Sequence, residues 1–281
     1  MTSASAAHAA EFLKGNDRDR YFASLLLPEP ARPAVQALLA FNADVASVRE
    51  RAREPAAGEI RLQWWTDALE GEEHGAVRQN PLADALLDAM DAYKLPAEPL
   101  HKLIAARRFD LYNDPMPDLP TFEGYAGETA SVLYQLAAMV LNGGKELAGG
   151  DAAGHLGVAH ALVGHLRAFG YNASQGRIFL PWSVLAANGV REGEVLTGTV
   201  SEGLLAARAQ FVDLAREHLA KAEAAIAALP ASLRPAFAPV ALLGRYLVLV
   251  EAAEEAPFAP PRDVADWRKI AAMGWWSWRQ R

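Results

Sequence analysis

Residues 164–181 read GHLRAFGYNASQGRIFLP. The first half closes an Ala- and Leu-rich stretch whose spacing predicts a helix over about 151–173. Gly176 then breaks the helix, and Pro181 ends the turn that follows. Arg167 and Arg177 flank positions 168, 171 and 172, which are Ala, Tyr and Asn. A helix end and its exit turn thus carry two arginines and no carboxylate.

The rest of the chain repeats the helical pattern. Apolar spacing predicts further helices at about 32–53, 59–71, 79–93, 97–113, 121–141, 201–228, 231–253 and 262–279. Pro33 suits a first helical turn, and Ser201 before Glu202 suits a cap and first turn. Phe211, Leu214, Ala215, His218, Leu219, Ala222 and Ile226 recur at three and four residues and make one core-facing stripe. Pro115-Met116-Pro117, Gly143-Gly144, Gly149-Gly150 and Pro257 with Pro260-Pro261 mark loops. The glycine pairs lack a phosphate-loop pattern and read as ordinary turns. An all-α, single-domain helical bundle follows. Within it we expect an N-terminal tail over 1–18, a helical domain over 19–256 and a Trp/Arg-rich helix over 257–281.

Composition narrows the functional classes. The 281 residues are 52% hydrophobic, enough for a sizeable core. No Cys is present, which excludes disulfides and thiolate metal sites. A net charge of −7 argues against nucleic acid as a partner. No apolar span suits a signal peptide or membrane helix, so a cytoplasmic chain is expected, with attachment to the inner face of a membrane left open.

The chain resembles the squalene/phytoene synthase family from about Tyr21 to Glu251. Leu166-Arg167 and Gly176-Arg177-Ile178-Phe179-Leu180-Pro181 match the family's second signature, a helix NxLRDVxED running into GRxYLP. Asp19-Arg20-Tyr21-Phe22 resembles its opening, Ala40-Phe41 its lead-in to DDxxD, and Arg61-Leu62-Gln63-Trp64-Trp65 its RLxWW segment. Arg107-Arg108-Phe109-Asp110-Leu111 and Tyr125 to Leu133 resemble two further helices, with Glu128 and Ser131 as departures.

The family joins two prenyl diphosphates on Mg²⁺ held by both acidic motifs. Here the acidic positions fall on Ala46, Ser47 and Glu50 in the first motif, and on Ala168, Tyr171 and Asn172 in the second. One carboxylate of six survives, and one carboxylate holds Mg²⁺ weakly. Asp44 lies six residues before Glu50, on a different helical face. Phe41-Asn42-Ala43-Asp44-Val45, RLQWW and Glu128-Thr129-Ala130-Ser131 resemble a branch regarded as non-catalytic, which contains a mitochondrial complex I assembly factor.

The resemblance therefore implies a pseudoenzyme with no cofactor. Its partner would be a complex I subunit or assembly intermediate, with an isoprenoid or lipid as a further ligand. The alternative is an active prenyltransferase with an unusual Mg²⁺ site; a lipid-binding module is a third reading. Arg167 and Arg177 could grip a phosphate or acidic head group, or pin a loop and pair with an acid. Tyr171 would either plug the vacated space or line it. His155, His160 and His165 sit five residues apart, about 140° of rotation each, and do not converge on a metal. Trp267 is expected to pack on the bundle. Trp275, Trp276 and Trp278, beside basic residues, are candidates for partner or membrane contact.

Overall fold

A computed structural model of the chain describes residues 3–52, 54–71, 77–146 and 150–280. Among them every regular element is helical. Ser201 caps the helix Glu202–Ala228 (α14), its hydroxyl accepting from the Leu204 amide at 3.3 Å. The expected stripe on α14 is buried except for half-buried Leu214. It packs along Asp151–Arg167 (α10), which forms the centre of the bundle. Val240–Glu251 (α15) lies against both.

A second layer holds Arg32–Ala46 (α3), with Pro33 in its first turn. It packs on Pro81–Tyr93 (α6) and Val132–Leu141 (α9). Residues 3–16, set apart by sequence as a tail, instead form a helix (α1) against α3 and α6, with Ala9 and Leu13 fully buried. Among its described residues only Ser5, Ala9 and Leu13 are buried, and a serine and an alanine give little apolar contrast to read. Arg18–Ser24 (α2) follows, capped by Asp17, whose carboxylate accepts from the Arg20 amide.

Three predicted helices are broken where the cleft described below needs them to be. The first ends at Ser47 and resumes as Val48–Arg51 (α4), then Pro55–Glu70 (α5). The second runs from Leu119–Ala126 (α8) through a π-helical turn, Gly127–Ser131, into α9. The third breaks at Ala168 before Phe169–Ser174 (α11). Glu98–Arg107 (α7) ends in a tight 3₁₀ turn over Arg108–Leu111. Two short helices, Trp182–Ala187 (α12) and Glu192–Thr197 (α13), fall in a region left without prediction. The last helix is Asp266–Arg279 (α16).

Gly157 lets α10 meet the π turn. A Cβ there would lie 2.0 Å from Ser131 Oγ and 2.4 Å from its backbone nitrogen. Gly154, one turn earlier, has nothing within 4 Å of such a Cβ. Gly157→Ala should therefore cost about 2 kcal/mol through overpacking. Gly154→Ala should be neutral or stabilising, since alanine is the better helix former. Urea unfolding of the two variants checks the contrast; equal midpoints would refute it.

Candidate functional site

A cleft of about 320 Å³ opens between α4, α10 and α11. Five of the six positions that the resemblance sets against the family's acids line it: Ala46, Glu50, Ala168, Tyr171 and Asn172. Ser47 does not; its hydroxyl donates to the Asp44 carbonyl at 2.9 Å. Asp44 faces elsewhere, pairing with Arg51 at 2.8 Å and accepting from the Trp65 indole at 2.9 Å. The two candidate arginines part company. Arg177 lines the cleft, but Arg167 lies over the Tyr246 ring at 3.8 Å and pairs with Asp263 at 3.0 Å.

Local structure explains why Arg177 turns inward. Gly176 takes a left-handed conformation, φ +72°, just past α11. The Arg177 amide then bonds back to the Asn172 carbonyl at 2.9 Å. Beyond it, Ile178 to Trp182 is held beside Met116: Met116 donates to Ile178 at 2.9 Å, and Trp182 donates to Met116 at 2.7 Å. The proline-flanked loop thus braces the turn. Arg177 is only 6% exposed.

Four arginines line the cleft, Arg20, Arg49, Arg107 and Arg177, against two carboxylates, Glu50 and Asp110. Arg20 is matched by Asp17 at 2.7 Å. Arg107 donates to Asp110 at 3.0 Å and to the Tyr125 hydroxyl at 2.7 Å, and Tyr125 donates to Asp110 at 2.7 Å. Burial opposes the Arg107 charge, yet Tyr125 and Asp110 hold its pKa above the ordinary value. Arg177 has only Glu50, at 3.8 Å. The Arg49 side chain has no partner among the described residues, and the Nε atoms of Arg49, Arg107 and Arg177 are buried without one.

Two histidines complete the wall. Burial, then Arg20, pushes His160 down to about 3; burial, then Arg107 and Arg177, does the same to His165. Both are neutral at pH 7. Tyr134 lies 2.6 Å from His160 Nδ1, a contact in which its hydroxyl can donate to a neutral ring. His155 faces away, its Nδ1 3.1 Å from that of His218 on α14. His160 and His165 thus share the cleft, while His155 lies apart from it.

These shifts carry a pH signature. The unfolded chain takes up protons near pH 6.5 and the folded histidines do so only near 3, so the unfolded state binds more protons between. Stability should fall as pH drops through that window, by about 2 kcal/mol per histidine between pH 7 and 5. Urea midpoints test it. The pH slope of a His160→Gln/His165→Gln variant should be flatter; an unchanged slope would refute the assignment.

As a donor set for a divalent cation the cleft does not fit. Glu50 faces Arg177, and Asp110 is committed to Arg107 and Tyr125. Among the described residues no three His, Asp or Glu side chains come together as metal ligands. Tyr171 does not plug the space: it is 53% exposed at the rim, its ring centroid 5.8 Å from the Arg177 guanidinium carbon. Arg20, Arg49 and Arg107 escaped the sequence reading as ligands, although each lies in a stretch that carries the resemblance.

The C-terminal tryptophans reverse one expectation. Trp267 is 66% exposed, not packed, and Trp275 and Trp278 stack outward beside each other, centroids 5.1 Å apart. Trp276 is the ring that packs on the core. It shares a face with Lys269, Ala272 and Met273, which are buried. No helix among the described residues is long and apolar enough to cross a membrane.

A sequence profile of the family described as squalene/phytoene synthase matches residues 13–270. NADH dehydrogenase (ubiquinone) complex I, assembly factor 6 of Mus musculus is 28% identical over 274 residues, spanning 98% of this chain and 82% of its own. A 15-cis-phytoene synthase of Synechocystis sp. is 26% identical over 247 residues, spanning 83% and 72%. The crystal structure of a dehydrosqualene synthase in complex with ligand superposes with a TM-score of 0.81 at 19% identity, covering 96% of this chain and 94% of that one. At that identity the likeness is one of fold.

Proposed function

The chain belongs to the squalene/phytoene synthase family, and from that premise we propose that it is a non-catalytic member acting as an assembly and binding factor. The cleft carries the reading. Head-to-head joining of prenyl diphosphates needs cations to neutralise a departing pyrophosphate. At the positions where the family's acids stand, this chain presents Ala46, Ser47, Ala168, Tyr171 and Asn172, with Glu50 beside Arg177.

Similarity to complex I assembly factor 6 supports respiratory complex I assembly as the process. The partner is a complex I subunit or an assembly intermediate, met in the cytoplasm or at the inner face of the membrane. Trp275 and Trp278, with exposed Trp267, supply an aromatic contact surface beside Arg268 and Arg279. Trp276 serves to hold α16 on the bundle.

Deleting the gene in its own organism tests this. Assembled complex I should fall, while terpenoid products stay at their normal level. Intact complex I with missing terpenoids would overturn the proposal in favour of a synthase.

A further inference from the structure

We propose that His155 on α10 and His218 on α14 form a two-nitrogen chelate for one Zn²⁺ ion, outside the cleft and at none of the motif positions. The inference does not depend on the assembly reading.

Distance is the first reason. The two Nδ1 atoms stand 3.1 Å apart, with the ring planes inclined at 61°. Imidazole nitrogens bind zinc at about 2.0–2.1 Å, so two of them on one tetrahedral ion lie roughly 3.3 Å from each other. The fold already holds its pair close to that span. Neutral imidazole suits zinc, whereas magnesium prefers oxygen ligands.

The carboxylate behind His218 is the second reason. Glu123 Oε1, on α8, lies 3.5 Å from His218 Nε2. A carboxylate on the far nitrogen of a ligating histidine fixes the tautomer and strengthens the ring as a ligand. With the Nε2 proton directed at Glu123, His218 Nδ1 is left as an acceptor, and His155 donates to it. Zinc takes the place of that shared proton. The proton moves through solvent to Nε2 of His155, so both rings stay neutral and both Nδ1 lone pairs meet the ion.

The three side chains stand on well-anchored helices. His218 belongs to the core-facing stripe of α14, is 8% exposed, and sits among buried Ala215, Leu219 and Ala222. Phe122, beside Glu123, is fully buried, and Asp118 caps α8 by accepting from the Thr121 amide at 2.9 Å. His155 is half-buried, which leaves solvent a route to the pair. Glu217 is engaged by Lys221 at 2.6 Å and is not counted as a ligand. The chain therefore supplies two nitrogens, and water completes the coordination. The bound ion clamps α10 to α14. The even spacing of histidines along α10 hides this site, because the partner of His155 comes 63 positions later, on another helix.

Calorimetric titration of the metal-stripped full chain with zinc chloride at neutral pH tests the proposal. One ion per chain is expected, with a rise in melting temperature, since the ion binds the folded state. Magnesium chloride should give neither. Affinity should fall once the pH drops below about 6.5, where protons compete for both nitrogens. His155→Gln should weaken zinc binding at least tenfold and abolish the rise in melting temperature, while its metal-free circular dichroism matches the parent's. His218→Gln should do the same to binding. Glu123→Gln should weaken affinity by about tenfold with the stoichiometry unchanged. His8→Gln, on the exposed side of α1, should bind as the parent does.

Absence of saturable zinc binding, full affinity in His155→Gln, or equal binding of Mg²⁺ would each overturn the proposal. In the parent, nitrogen-15 NMR should show the Nδ1 signals of both rings shifting together as zinc is added; a shift confined to other histidines would overturn it as well.

Discussion

Incubated with farnesyl or geranylgeranyl diphosphate and Mg²⁺, the protein should release no pyrophosphate above the rate without protein. The expected deficit against an active synthase is large, because enzymes commonly accelerate reactions by a millionfold or more. Ionising an allylic diphosphate places negative charge on the leaving group, and metal ions supply most of its stabilisation. Here one carboxylate, Glu50, stands at the six acidic positions, with Arg177 3.8 Å away. A Mg²⁺ ion prefers oxygen ligands in near-octahedral array and would retain most of its water on one such group. The four cleft arginines also repel it. Coupled colorimetric detection of pyrophosphate is sufficient. Metal-dependent release that Glu50→Ala abolishes would sink the non-catalytic assignment.

Lys269→Ala should destabilise the fold by about 2–4 kcal/mol and free α16 to proteolysis. Lys269 is 4% exposed, with Nζ 2.9 Å from Asp19 and 2.9 Å from Asp263. Burial opposes its charge, and hydrogen bonds to those two acids more than offset this, so its pKa is raised. Tyr246 donates to Asp19, while Arg167 covers the Tyr246 ring and pairs with Asp263. The network joins α2, α10, α15 and α16. Removing its central cation leaves Asp19 half-buried without its countercharge. Some of the loss is softened at Asp263, which is exposed. Urea midpoints and trypsin sensitivity of the last helix provide the readout. Arg279→Ala, on the exposed face, should shift stability by less than about 0.5 kcal/mol. A wild-type midpoint for Lys269→Ala would show that the network does not hold α16.

This network also explains why Arg167 was hard to assign from sequence. In the quoted stretch it stands beside the vanished acids, so it looked as able to reach a ligand as Arg177. Only the folded chain brings Asp263 and Tyr246, 96 and 79 positions further on, against it. Trp276 and Trp267 exchanged roles for a related reason. Periodicity separates the faces of α16, but it does not say which face meets the bundle. Buried Met273 and Lys269 decide that, and Lys269, a cation, would have been assigned to solvent. The break at Ser47 is equally a tertiary feature, since no Gly or Pro interrupts residues 45–51.

Local chemistry was sufficient for the helices with clear signals. Pro33, Ser201 and the α14 stripe act through their own neighbours, so their effect can be read in order along the chain. The Gly176 turn and the single carboxylate at the six motif positions are likewise written in residue identity. Charge in the cleft is not. Arg20, Arg49, Arg107 and Arg177 are separated by up to 157 positions, and each is an ordinary surface residue until α2, α4, α7 and the Gly176 turn converge. The sequence by itself determined the bundle and the side chains that stand at the six motif positions. The tertiary structure alone decided that the cleft is cationic, because electrostatic balance depends on distances in space, and those exist only once the helices pack.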